Sequence, residues 1–163
     1  MAVLWGMVLL PGMLRAECTE ETGEKSAAAV FTLHLPNTCT EAEREARAVS
    51  AQELLRALVA GKGLDLSGVV IHGDLVLDEL PTQRVHEVSD LAPEDRRVLE
   101  GLNDEEVHVI RGPFVIKQSR VKGRIVNRLK SGFLLITGPV VLAHTDFAGF
   151  VDLSRTVFLG LVD

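Results

Sequence analysis

Aromatic side chains are scarce: 4% of 163 residues, with no Tyr, six Phe and Trp5 as the single Trp. Platforms that stack sugars or single-stranded nucleic acid need exposed aromatics, so both become poor candidates, and the core must come from Val, Leu, Ile and a few Phe. Cysteine is nearly absent as well. Cys18 and Cys39 stand alone, in no CxxC and no Cys/His cluster, which removes a zinc site of that kind. Excess positive charge is missing too, because 17 bases against 23 acids leave a net charge of −6, and nucleic acid is not an expected partner. The longest apolar run, at residues 2–14, is too short to span a bilayer, so no transmembrane helix is expected. What remains is a globular balance, 47% hydrophobic and 25% charged, in a length that suits one domain.

The run AVLWGMVLLPGML at 2–14 fits the apolar centre of a signal peptide. Pro11 and Gly12 break its helix, and Leu14 and Ala16 occupy the −3 and −1 places for cleavage before Glu17. A secreted or periplasmic location follows from residues 1–16, although the basic n-region is missing. Cys18 and Cys39 then become a candidate disulfide, which an oxidising compartment would permit. Such a bridge would close a loop of about twenty residues and stabilise by roughly 3 kcal/mol on the chain-entropy model.

Residues 17–49 read as a polar segment with one short helix, because LPNT at 35–38 is loop-like and Thr40 with Glu43 forms a capping box ahead of EAEREARA. Ser50 with Glu53 makes a second box, Val49 and Leu54 suit a hydrophobic staple, and Gly61 suits the C′ turn. The spacing predicts a helix from Ala51 to Ala60, with Leu54, Leu55 and Leu58 on its apolar face. From Leu64 the pattern turns to short β-like runs divided by Gly. These are interrupted at about 81–106 by a polar insertion with a short helix in APEDRRVLE, and they resume from Val107.

The runs repeat a form. LDLSG (64–68), VVIHG (69–73), TDFAG (145–149), VDLSR (151–155) and TVFLG (156–160) each centre one large apolar residue: Leu66, Ile71, Phe147, Leu153 or Phe158. At these residues the chain resembles the pentapeptide-repeat proteins, whose repeat centres Leu or Phe and often carries Asp or Asn just before it, as Asp65, Asp146 and Asp152 do here. Val70 and Val157 depart from that preference, and Phe150 is an extra residue between repeats. The resemblance implies a mainly β fold, a right-handed, four-sided parallel β-helix over 50–163. Its core would stack Leu66, Ile71, Phe147, Leu153 and Phe158, and the Ala51–Ala60 helix would cap its N-terminal end. Coils of about twenty residues would align Ile116 with Ile136 and Val121 with Val141. The C-terminal coil edge would stay open, for a continuation of the chain, a second copy or another protein.

No catalytic signature is present. GxSxG is missing, His86 begins HEVSD rather than HExxH, and Gly61-Lys62-Gly63 is a helix stop rather than a phosphate loop. His72 with Asp74 and Asp78, and His144 with Asp146, are the nearest approach to acid–base or metal pairs, and both read as exposed corner residues. We therefore expect no catalytic, cofactor or metal site. Seven bases and no acid lie between Arg111 and Lys130. Within them Arg120, Lys122 and Arg124 alternate with smaller residues and would form a basic ladder for an anionic surface at the envelope. The leading expectation is a non-enzymatic, pentapeptide-repeat-like scaffold or interaction protein of the cell envelope. The rivals are a cytoplasmic acidic DNA mimic regulating a DNA-binding enzyme, a β-helix enzyme acting on polysaccharide, and the N-terminal fragment of a larger membrane-associated protein.

Overall fold

The computed structural model describes residues 18–19, 29–89, 91–102 and 105–163; the proposed signal peptide, 1–16, lies outside them. Most strands follow the apolar runs, and several end at a glycine corner, as at Gly68, Gly73 and Gly123. The chain begins with strand β1 (Val30–His34), helix α1 (Glu41–Ala46), strand β2 (Val49–Ser50) and helix α2 (Ala51–Val59). Then come β3 (Gly63–Ser67), β4 (Val70–His72), β5 (Leu75–Val76), β6 (Thr82–Arg84) and the short helix α3 (Pro93–Val98). The remainder is strand: β7 (Glu106–Ile110), β8 (Phe114–Lys117), β9 (Arg120–Lys122), β10 (Ile125–Val126), β11 (Phe133–Ile136), β12 (Val140–Val141), β13 (Asp146–Phe147), β14 (Val151–Asp152) and β15 (Thr156–Phe158). The class is mainly β.

These strands fall into four sheets that the chain, from β3 on, visits in rotation. The first holds β1, β3, β8 and β12; the second β2, β4, β9 and β13; the third β5, β10 and β14; the fourth β7, β11 and β15. All their pairings are parallel, and β6 alone is antiparallel, against β7. One face of each sheet turns to a shared interior where Leu66 stacks on Ile116, Ile71 on Val121, Leu75 on Ile125 and Ile110 on Ile136. All eight are at most 1% exposed. Each such side chain contributes roughly 1.5–3 kcal/mol of burial. Glycines make the tight corners: a Cβ on Gly123 would fall on the Gly73 carbonyl, and one on Gly138 on the Gly112 carbonyl.

The return length differs from the twenty residues expected. Phe114 stands against Val140, Val121 against Phe147 and Ile125 against Val151, a return of 26, so Ile116 does not align with Ile136 or Val121 with Val141. Most of the excess, four residues of the six, lies between the third and fourth sheets, and the steps from Phe114 to Arg120 and from Leu134 to Val140 add one each. Ile125 to Leu134 takes nine residues where the last circuit, Val151 to Thr156, takes five. Only that last circuit steps evenly by five, from Asp146 to Val151 to Thr156, which is why the pentad form is clearest near the end of the chain.

Two segments carry more structure than their polarity suggests. The segment 17–49 is not merely polar, because β1 and β2 lie in it and β1 pairs along its whole length with β3; the alternation in VFTLH carries that strand. The insertion at 81–106 has an apolar side of its own. Val85, Val88, Leu91 and Leu99 pack on Val107, Val109, Phe133 and Leu135, covering the outward side of β7 and β11. The sheet is therefore buried on both faces, and its runs VHVI and FLLI are near-continuously apolar for that reason.

The helix expected at Ala51–Ala60 is α2. Ser50 Oγ accepts from the Glu53 N–H at 3.1 Å, and Gly61 follows at φ 78°. Ala51, Leu54, Ala57 and Leu58 point into the interior beside Leu64, Leu66 and Leu75. Both reciprocal capping bonds occur at Thr40–Glu43, the start of α1.

Candidate functional site

The outer face of the second sheet gathers the charge. On β9, Arg120 and Lys122 flank the inward Val121, because neighbouring strand residues point to opposite faces. The register places His72 of β4 beside Lys122. Over these residues lies α1, capped by the Thr40 N–H donating to Glu43 Oε2 at 2.8 Å. Its sequence EAEREA has no apolar face and it buries no side chain. Glu41 forms an ion pair with Arg120. Glu45 takes two partners, Lys122 Nζ at 2.9 Å and His72 Nε2 at 2.7 Å. The Lys122 ammonium, and after it His72, hold the Glu45 carboxyl below its ordinary pKa.

The expected basic ladder is therefore already engaged by acids of the same chain. Arg120 also approaches Asp146 at 3.9 Å. Arg124 leaves the strand for the corner, where its Nε donates to Asp74 Oδ2 at 2.9 Å and its backbone N–H to Asp74 Oδ1 at 2.9 Å. The guanidinium and the backbone N–H lower the Asp74 pKa, and Asp74 raises that of Arg124. Local carboxylates therefore compensate all three bases of the trio, and an anionic partner would have to compete with them.

The candidate acid–base groups do not converge. His72 goes to Glu45, Asp74 to Arg124, and Asp78 accepts from the Arg128 N–H at 3.4 Å. His144 sits exposed in a turn at φ 50°. Asp152 accepts from the Ser154 hydroxyl and its backbone N–H, which lower its pKa and brace the turn after β14. No group of three or more His, Cys, Asp or Glu among the described residues could hold a metal ion. Cys18 and Cys39 are joined in a disulfide, Cα–Cα 4.9 Å, and both are buried, directly before the Thr40 cap.

A second feature is the end of the core formed by the last circuit. Leu66 and Ile71 are fully buried, whereas Phe147, Leu153 and Phe158 are only partly buried, beside Leu142. They stand at the outer edge of the sheets, where β13, β14 and β15 each have one neighbour strand. Leu161 and Val162 are 84% and 60% exposed there. Phe150 lies under the guanidinium groups of Arg124 and Arg128, each 5.7 Å from the ring centroid.

The comparisons find no match. No family model, no curated protein and no solved structure corresponds to this chain. The described residues contain no helix long and apolar enough to cross a membrane.

Sequence reasoning missed Glu41 and Glu45 as partners of the ladder. The signal was there in two acids four apart on a helix without an apolar face, facing two bases two apart on a strand. It also missed His108, a buried polar side chain whose Nδ1 lies 2.5 Å from the Leu80 carbonyl oxygen.

Proposed function

We propose that the chain is a non-enzymatic scaffold of the cell envelope, a right-handed four-sided β-helix of the pentapeptide-repeat kind with α2 as its N-terminal cap. It acts by offering the open end at β13, β14 and β15 to a second copy or another protein. The observation that carries this reading is the contrast between the two ends of the core. Both ends have one-sided strands and partly exposed side chains, Phe31 and Leu33 on β1 and Phe147, Leu153 and Phe158 on β13 to β15, but the buried Leu54 and Leu58 of α2 cover the first, and no helix among the described residues covers the second. Unpaired strand edges template further pairing, and stacked repeats need a cover at each end. The Cys18–Cys39 disulfide favours the oxidising compartment over the cytoplasm. The DNA-mimic reading needs a continuous acidic face, and the local pairing of Glu41, Glu45 and Asp74 with bases counts against it. A polysaccharide enzyme is disfavoured by the same dispersal of carboxylates.

Sedimentation of the full chain over a range of concentrations tests the role of the end. Self-association is expected, and Leu161→Lys with Val162→Lys should shift it toward monomer. A chain that is monomeric throughout would remove the second copy as the occupant. Association untouched by the two lysines would remove the end itself.

A further inference from the structure

We propose that the outer face of the second sheet is a docking surface for an acidic helix, and that α1 is its built-in competitor. The first ground is the path of the chain. Between the first and second sheets it needs only Gly68 and Val69 after β3, and Gln118 and Ser119 after β8, yet after β1 it runs from Leu35 to Ala48. That excursion is pinned at both ends: Leu35 and Cys39 are buried on one side, with Cys39 in the disulfide, and Val49 is buried on the other. Residues 40–48 between the pins bury no side chain. Nothing apolar holds α1 down.

What holds it is charge, together with the Arg44 guanidinium, which donates to the Cys39 and Pro36 carbonyls at 3.3 Å. Glu41 meets Arg120, Glu45 meets Lys122 and His72, and Arg44 reaches the Gln118 carbonyl at 3.4 Å. The ion-pairing side chains are 38% to 71% exposed, so salt screens the contacts and each is weak. A helix held this way can leave while the core stays packed.

The second ground is the geometry of the match. Carboxylates four apart on a helix stand one above the other, about 6 Å apart. Bases two apart on a strand project from one face at roughly the same interval, about 6.6 Å. Thus α1 displays how the ladder reads its ligand, as two carboxylates four residues apart on a helix, with His72 a second donor to one of them. Lys117, exposed at the adjoining corner and in no ion pair among the described residues, would give a longer acidic helix a contact that α1 does not make. Such a contact offsets the advantage that tethering gives α1.

The test uses the full, oxidised chain and a fluorescent helical peptide of roughly 20 residues, long enough to be helical, with Glu pairs four apart. Glu41→Gln with Glu45→Gln removes the two carboxylates of α1 from the ladder without altering its bases, and should tighten peptide binding roughly tenfold or more by removing the tethered competitor. Adding Arg120→Gln and Lys122→Gln should abolish the gain. Equal affinity with and without the Glu substitutions, or a gain that survives loss of the ladder, would overturn the proposal. So would a gain for phosphatidylserine vesicles with none for the peptide. Hydrogen exchange on the unsubstituted protein is independent of whether the variants fold. Amides 43–47 should lose protection between about 0.02 and 0.5 M salt while α2 keeps its own, and salt-independent protection of α1 would overturn the strap.

Discussion

Gly123 carries more structural weight than any charged residue on the surface. It stacks between Gly73 and Gly149 at the corner joining the second and third sheets, and the missing side chain lets the three backbones approach. A methyl group there meets the Gly73 carbonyl and backbone atoms around it, which cannot rotate away as a side chain tip could. Gly123→Ala should cost about 1–3 kcal/mol as overpacking, read as a fall in the urea midpoint at constant m-value. An unchanged midpoint would mean that the corner yields. Arg124, next in sequence, shows the opposite kind of residue. Its pairing with Asp74 is exposed, and exposed ion pairs contribute little to stability. Its value is positional, because Asp74 also accepts from the Arg124 N–H and so ties two successive circuits together.

At the scale of elements, α2 is defined by local chemistry and used by tertiary packing. Ser50 satisfies an otherwise orphaned N–H of the first turn, and the inward Leu54 and Leu58 bury the apolar stripe over β3 and β5. Ser50→Ala should lower stability by about 1 kcal/mol, and Ser50→Asp should restore most of it because an aspartate accepts the same bond. A loss on Ser50→Ala with no recovery in Ser50→Asp would place the role of Ser50 in packing rather than capping. The same element shows what the sequence makes legible. Caps, a staple and a 3.6-residue apolar period are local signals, and they locate α2 to within a residue of its observed end at Val59. The register of the sheets was not legible in this way. It depends on the length of every intervening connection, and the residues 127–132 between β10 and β11 lengthen a circuit without altering the apolar pattern on either side. The engagement of Arg120 and Lys122 escaped for a related reason. Glu41 and Glu45 lie 77 or more residues away in sequence, and only the fold brings them to the ladder.

Taken as a whole, the molecule is a set of parallel sheets around one interior, covered by α2 at one end and only partly buried at β13, β14 and β15. Truncations along the axis should report that gradient. Leu66 lies in the interior between β1 and β8 with no exposed surface, so Leu66→Ala should cost about 2–5 kcal/mol at any protein concentration. Phe158 was expected from the repeat pattern to behave as full core, at about 3–5 kcal/mol. Its partial exposure on β15, paired on one side with β11, lowers the expectation for an isolated chain to roughly 2 kcal/mol. If the open end is covered by a second copy, association stabilises the folded state by mass action, and the cost of Phe158→Ala must rise with protein concentration while that of Leu66→Ala does not. Urea unfolding of both variants at two well-separated concentrations decides it. A concentration-dependent Phe158 effect places the contact at the end of the stack. A cost below about 1 kcal/mol at both concentrations would make β15 a frayed edge, and the surface that binds a partner would then have to lie on the sides of the sheets.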